Sequence, residues 1–198
     1  KGEVVGFLGP NGAGKSTTLK ALMGFLTPQS GTCEVFGMPA GTREAKKQIG
    51  YLPEERGLYR KMNVTEFLRY MAVLKGVPQV GLGRRVREWL ARVQLEEAAR
   101  KKCQELSKGQ QQKIQFIASV IHDPELVILD EPFSGLDPVN ARLLNRLVRE
   151  LHAQGRTTTT AREAAGSTAR AHAARPGHHA GTGPRLRARQ GRVPRVRD

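Results

Sequence analysis

Cysteine is scarce, with two residues, Cys33 and Cys103, in a chain of 198. They stand far apart and in no metal-ligand spacing, which argues against a disulfide framework and for a reducing compartment. Long apolar runs are missing too. Nothing approaches the roughly 20 residues that span a bilayer, and the N-terminus does not read as a secretory signal. Work at a membrane would then go through a partner. Acids are few beside bases, 18 against 33, for a net charge of +15. The excess is uneven. Residues 157–198 hold nine Arg and no Lys against two acids, a net of +7. The rest is an ordinary solvated surface, so no specific nucleic-acid function is expected. That last stretch also lacks Ile, Phe, Met, Trp, Tyr and Cys. The length suits one domain with a sizeable core.

What is present is a phosphate-loop pattern, G-x-x-x-x-G-K-[ST], filled by Gly9, Pro10, Asn11, Gly12, Ala13, Gly14, Lys15 and Ser16, with Thr17 following. The apolar run Glu3–Leu8 before it reads as a buried strand. Thr18–Phe25 after it has helical spacing. Glycines let the backbone wrap a phosphate chain closely, and the helix N-terminus aims partial positive charge at it. Lys15 would reach the β- and γ-phosphates, Ser16 would sit on Mg²⁺, and Thr17 would hold the α-phosphate end. The loop is thus expected to hold a phosphate chain with Mg²⁺.

Short strands are expected over Thr32–Phe36 and Ile49–Leu52. From Asn63 the pattern turns helical. Val64–Leu74 places Phe67, Tyr70, Met71 and Leu74 on one face. Val86, Leu90 and Val93 mark a second helix with Trp89 beside the stripe, and Gly109–His122 a third. Leu126–Asp130 has the composition of a central parallel strand. Asp137 is a candidate N-cap with Pro138 at the first helical position. The fold class is therefore α/β with a mainly parallel sheet. Its core is formed by residues 1–52 and 123–156, and residues 53–122 form an inserted helical subdomain. Asp130 and Glu131 end the central strand at its tip. Asp130 would hold the metal and Glu131 would act as general base towards a water.

Two further stretches, Leu106-Ser107-Lys108-Gly109-Gln110 and Ser134-Gly135-Leu136-Asp137, complete the pattern. With the phosphate loop and the acids they resemble the nucleotide-binding subunit of ATP-binding cassette (ABC) transporters, over residues 1 to about 156. The resemblance implies a P-loop nucleoside triphosphatase core that hydrolyses ATP. It also implies a homodimer or paired ABC subunit, a separate transmembrane permease, and a cytoplasmic place at the inner face of the membrane. It implies that Leu106–Gln110 closes over the partner's ATP and that Asp137 contacts the partner. Lys108 stands where the family has a second glycine, and would either reach phosphate or point to solvent. Glu54 stands where the family has a metal-side glutamine, and a carboxylate can keep that role. The stretch Glu54–Tyr59 resembles the branch whose permeases export drugs, lipids, polysaccharides or sodium. The alternatives are a soluble cassette ATPase acting on nucleic acid, or a catalytically impaired nucleotide-binding module.

After Thr157 the family would have an apolar strand and then a histidine on the γ-phosphate. Thr158-Thr159-Thr160-Ala161-Arg162 offers no apolar strand, so residues 157–198 are expected to be a disordered basic tail. Arg without Lys, amid Ala, Gly and Pro, fits a shifted reading frame in a GC-rich gene. None of His172, His178 and His179 is assigned as the switch histidine. The adenine-stacking aromatic of the family would precede Lys1, so a truncated N-terminus is expected.

Overall fold

The computed structural model describes residues 2–9, 12–54, 57–133 and 135–163. A parallel sheet of four strands carries the fold, in the order β1-β6-β5-β4. Strand β1 spans Val4–Gly9, β4 Ile49–Leu52, β5 Leu126–Asp130 and β6 Thr157–Glu163. Because all four run the same way, Gly9, Leu52, Asp130 and Glu163 end them at one edge of the sheet. In open parallel sheets that edge is where ligands bind.

The apolar run Leu126–Leu129 fills the middle of the sheet, with Val127, Ile128 and Leu129 fully buried. Ile128 faces a small cluster with Leu19, Met23, Val35 and Ile49, roofed by helix α1, Lys15–Leu22. Val127 and Leu129 face the other way, into a larger cluster. That cluster joins α3 (Val64–Leu74), α4 (Leu82–Arg92), α5 (Lys108–Val120) and α6 (Pro138–Ala153). The helices between β4 and β5 thus share one apolar cluster with the sheet. Helix α5 lies tightly on β4: a β-carbon on Gly50 would come 2.0 Å from the Ser119 carbonyl.

Several expectations sharpen. Helix α3 has the expected bounds, but its core face is Val64, Phe67, Leu68 and Ala72. Tyr70 and Leu74 are exposed, because the helix buries the stripe one position round. The strand expected over Thr32–Phe36 shrinks to β2, Glu34–Val35, paired with β3, Met38–Pro39. Phe36 and Gly37 both have positive φ, which makes the two-residue turn of a tight hairpin. A short helix α2, Arg43–Lys47, is capped by the Thr42 hydroxyl.

The main correction concerns the chain after Arg156. A strand forms where none is expected. Residues Thr157–Glu163 pair in parallel with β1 on one side and β5 on the other. Threonine is β-branched and suits a strand without being apolar. Two anchors hold the strand's start. Arg156 pairs with Asp123 at 2.6 Å and Glu125 at 3.5 Å, and the Thr157 and Thr158 amides donate to the carbonyls of Glu125 and Glu3. The rest of the expected tail, including His172, His178 and His179, lies outside the described residues.

Candidate active site

The phosphate loop joins β1 to α1 as its spacing requires. Pro10 and Asn11 lie outside the described residues. Gly12 and Gly14 take φ of +80° and +82°, a left-handed conformation that glycine adopts without strain. Gly14 is the N-cap of α1, and no side chain caps that helix. The first-turn amides therefore remain oriented towards the loop, as anion binding needs. Lys15 Nζ donates to the Gly9 carbonyl at 2.7 Å, folding the side chain back across the loop. Ser16 and Thr17 follow in the first turn of α1.

Asp130 ends β5 and is only 5% exposed. Its carboxyl sits above its ordinary range, first through burial, then through the charges of Glu54 and Glu131; Lys20 and Lys15 pull it back. Two lysines and three carboxylates of the site thus feel one another across three segments. Tyr51, on β4, is raised by burial and by Asp130 and Glu54. Glu131 adopts φ of +47°, a conformation a non-glycine residue rarely takes. Such backbone strain clusters at functional positions. Gln112 of α5 donates to the Pro132 carbonyl at 3.3 Å and ties the following loop to the helix.

A divalent cation fits this donor set. Asp130 is a buried carboxylate crowded by two others, an excess of negative charge that a dication relieves. The Ser16 hydroxyl lies in the first turn of α1, a hard oxygen donor suited to Mg²⁺.

Leu106–Gln110 gathers elsewhere, at the N-terminus of α5. Leu106 is buried. Ser107 is the N-cap: its Oγ accepts from the Gln110 amide at 3.3 Å, and its own amide donates to Gln110 Oε1 at 2.9 Å. The hydroxyl keeps its proton for an outside acceptor. Lys108 is exposed. Gly109 faces α6, where an added β-carbon would come 3.0 Å from Asn140 Nδ2 and 3.9 Å from Asp137 Oδ2. Asp137 caps α6, its Oδ1 accepting from the amides of Val139 and Asn140 at 3.0 Å each. Hydrogen bonds from Asn140 hold its carboxyl below the usual range. So the structure brings Gly12, Gly14, Lys15, Asp130, Glu131 and Glu54 together, and groups the 106–110 stretch with Asp137 instead. Ser134 lies outside the described residues.

Sequence reasoning missed the strand that ends beside the loop. The backbone of Glu163 ends β6 in register with Gly9, the first residue of the phosphate loop. Reading the threonines as strand would have found it.

The family model described as "ABC transporter" matches residues 1–134. The chain is 47% identical over 157 residues to the uncharacterized ABC transporter ATP-binding protein MJ1023 of Methanocaldococcus jannaschii, covering 79% of this chain and 56% of that protein. It is 38% identical over 159 residues to the linearmycin resistance ATP-binding protein LnrL of Bacillus subtilis, covering 79% and 51%. The chain spans about half the length of these curated relatives. A solved structure described as an ATP binding subunit of an ABC transporter superposes with a TM-score of 0.76 at 33% identity, covering 82% of this chain and 69% of that one. On sequence and on fold alike, the chain belongs to the ABC transporter ATP-binding protein family.

Proposed function

We propose that this chain binds and hydrolyses ATP with Mg²⁺ as the energy-coupling subunit of a transporter whose permease is a separate chain. The observation that carries the reading is the convergence of the phosphate loop with Asp130 and Glu131 at one edge of the sheet. The Gly12–Gly14 turn and the uncapped N-terminus of α1 hold the β- and γ-phosphates, and Lys15 leaves the Gly9 carbonyl to meet them. When bound, Mg²⁺ would neutralise phosphate charge, held by Ser16, Asp130 and Glu54. Glu131 accepts a proton from the water that attacks the γ-phosphorus; the bridging P–O bond breaks and ADP leaves.

Ser107 and the α5 N-terminus offer donors to the nucleotide of a second subunit, with Asp137 at that contact, so a complete site needs a pair. No helix of the described residues is long and apolar enough to cross a membrane. A peripheral place at the inner face, through the permease, is consistent with that. The Glu54–Tyr59 resemblance, and a relative named for resistance to linearmycin, favour export.

A second reading has its own observation. The β6 strand is built of threonines, and Glu163 sits in register with the phosphate loop, near where the resemblance calls for a histidine. A chain so altered binds ATP but turns it over poorly.

Hydrolysis and nucleotide binding by the full chain, beside Glu131→Gln, test both. Loss of hydrolysis by about a hundredfold or more with binding retained supports the first reading. Binding without measurable hydrolysis in either form supports the second. Failure of both forms to bind ATP overturns both.

A further inference from the structure

Three glutamines stand in a row near the start of α5, and their side chains go different ways. Gln110 Oε1 accepts from the Ser107 amide at 2.9 Å, and Gln111 Nε2 donates to the Leu106 carbonyl at 3.0 Å. Both turn back to the start of their own helix. Gln112 does not. Each residue advances about 100° around a helix, and Gln112 Nε2 donates outside α5, to the Pro132 carbonyl at 3.3 Å. A carbonyl can only accept, which fixes the orientation of the amide. The bond is enclosed: Gln112 is 3% exposed and Pro132 is buried. A buried amide that only filled space would cost desolvation free energy that a methionine of the same length would not.

Pro132 follows Glu131, whose φ of +47° is rare in any residue but glycine. A residue before proline also favours extended backbone, with φ of about −120°. A conformation held against both preferences needs fixed neighbours on either side. On one side Asp130 is locked into the sheet, in register with Ala161 of β6. On the other side the Gln112 bond holds Pro132. The helix that supplies the bond is itself well anchored. Ile114, Phe116 and Ile117 of α5 are fully buried in the larger cluster, and the Ser119 carbonyl lies against Gly50 of β4.

The geometry points to Gln112 as the residue that positions Glu131 for proton transfer, acting through the Pro132 carbonyl and not on the nucleotide. This rests on the role proposed above for Glu131. Ser107, the donor proposed for a second subunit's nucleotide, caps the same helix. One helix then carries both that donor and the anchor of the base.

The test compares the full chain with Gln112→Met, which keeps the length and loses the donor, and with Gln111→Met, which loses a bond of the same kind on the same helix. Two things are measured: kcat and KM for ATP hydrolysis, and the NMR shifts of the Glu131 amide and the Pro132 carbonyl carbon. Gln112→Met should move both resonances and lower kcat about ten- to a hundredfold, with KM changed less than about twofold. Gln111→Met should leave both resonances in place. Gln112→Asn keeps the amide but withdraws it by one methylene. It should move the same resonances, and it carries the test if Gln112→Met unfolds. Resonances of Glu131 and Pro132 that stay still in the Gln112 variants overturn the proposal, and so does an equal shift from Gln111→Met. An unchanged kcat in a chain that hydrolyses ATP, or a loss that falls on KM alone, also overturns it. If the unsubstituted chain does not hydrolyse ATP, the hydrolysis reading fails instead, and the resonances alone decide whether Gln112 sets the conformation of Glu131.

Discussion

Strands β5 and β6 lie side by side in the same sheet and are made of opposite materials. β5 reads Leu-Val-Ile-Leu-Asp and β6 Thr-Thr-Thr-Thr-Ala-Arg-Glu. Ile128 pairs in register with Thr159, and Val127 with Thr158. Both strands bury their centres: Val127, Ile128 and Leu129 are fully enclosed, and so is Thr158. The pairing shows that a parallel ladder is held by backbone geometry and by the neighbours on either side. The side chains then decide how much the burial contributes. In β5 the four from Leu126 to Leu129 add apolar area to a cluster. In β6 the Thr158 hydroxyl is buried with no partner, which costs about 1–3 kcal/mol.

The comparison breaks most visibly if β5 is given the chemistry of β6. Ile128→Thr replaces an ethyl group of the α1-side cluster by a hydroxyl among Leu19, Met23 and Ile49. The expected loss is about 3 kcal/mol, read as a lower denaturant midpoint with unchanged slope. A loss under about 1 kcal/mol would mean that this face of the sheet already tolerates polar groups, and that β6 is not exceptional.

The reverse change sharpens it. Thr158→Val replaces the orphaned hydroxyl by a methyl of similar shape at a position with no exposure. The expected gain is about 1–2 kcal/mol. No gain would place an unseen donor or acceptor beside Thr158. The same substitution should leave nucleotide affinity unchanged, because Thr158 pairs with Val4 and Val127, far down the strands from Gly9 and Asp130.

The contrast also explains what could be read from the sequence. Leu126–Asp130, the phosphate loop and the Asp137 cap were legible because apolarity, glycine spacing and capping chemistry are local signals. The structure places each where the pattern asks. The 106–110 stretch was legible as a helix start, but its proximity to Asn140 was not, since that contact depends on how α5 and α6 cross. Strand β6 is not legible in the sequence because its threonines lack the apolarity that marks a central strand. Its position comes instead from Arg156 binding Asp123 and Glu125 and from the open ladder edges of β1 and β5. Those are long-range facts that composition does not carry. The core face of α3 was misplaced because Tyr70 and Leu74 are apolar in sequence yet lie on an exposed side.

The last difference between the two strands lies at their ends, where both carry an acid. Asp130 closes β5 within reach of Lys15 and Lys20 and of two other carboxylates, and a metal ion bound there would offset its charge. Glu163 closes β6 in register with Gly9, beside the loop that must hold a polyphosphate. On the function proposed above, Asp130 would serve a cation, whereas for Glu163 only the backbone position is fixed. Asp130→Asn should therefore weaken ATP binding in the presence of Mg²⁺ by about tenfold while leaving metal-free binding little changed, because it removes a carboxylate from the metal's donors and not from the phosphate loop. Titration of a fluorescent ATP analogue with and without Mg²⁺ measures both. If Asp130→Asn shifts affinity equally under the two conditions, the end of β5 is not on the metal side of the site.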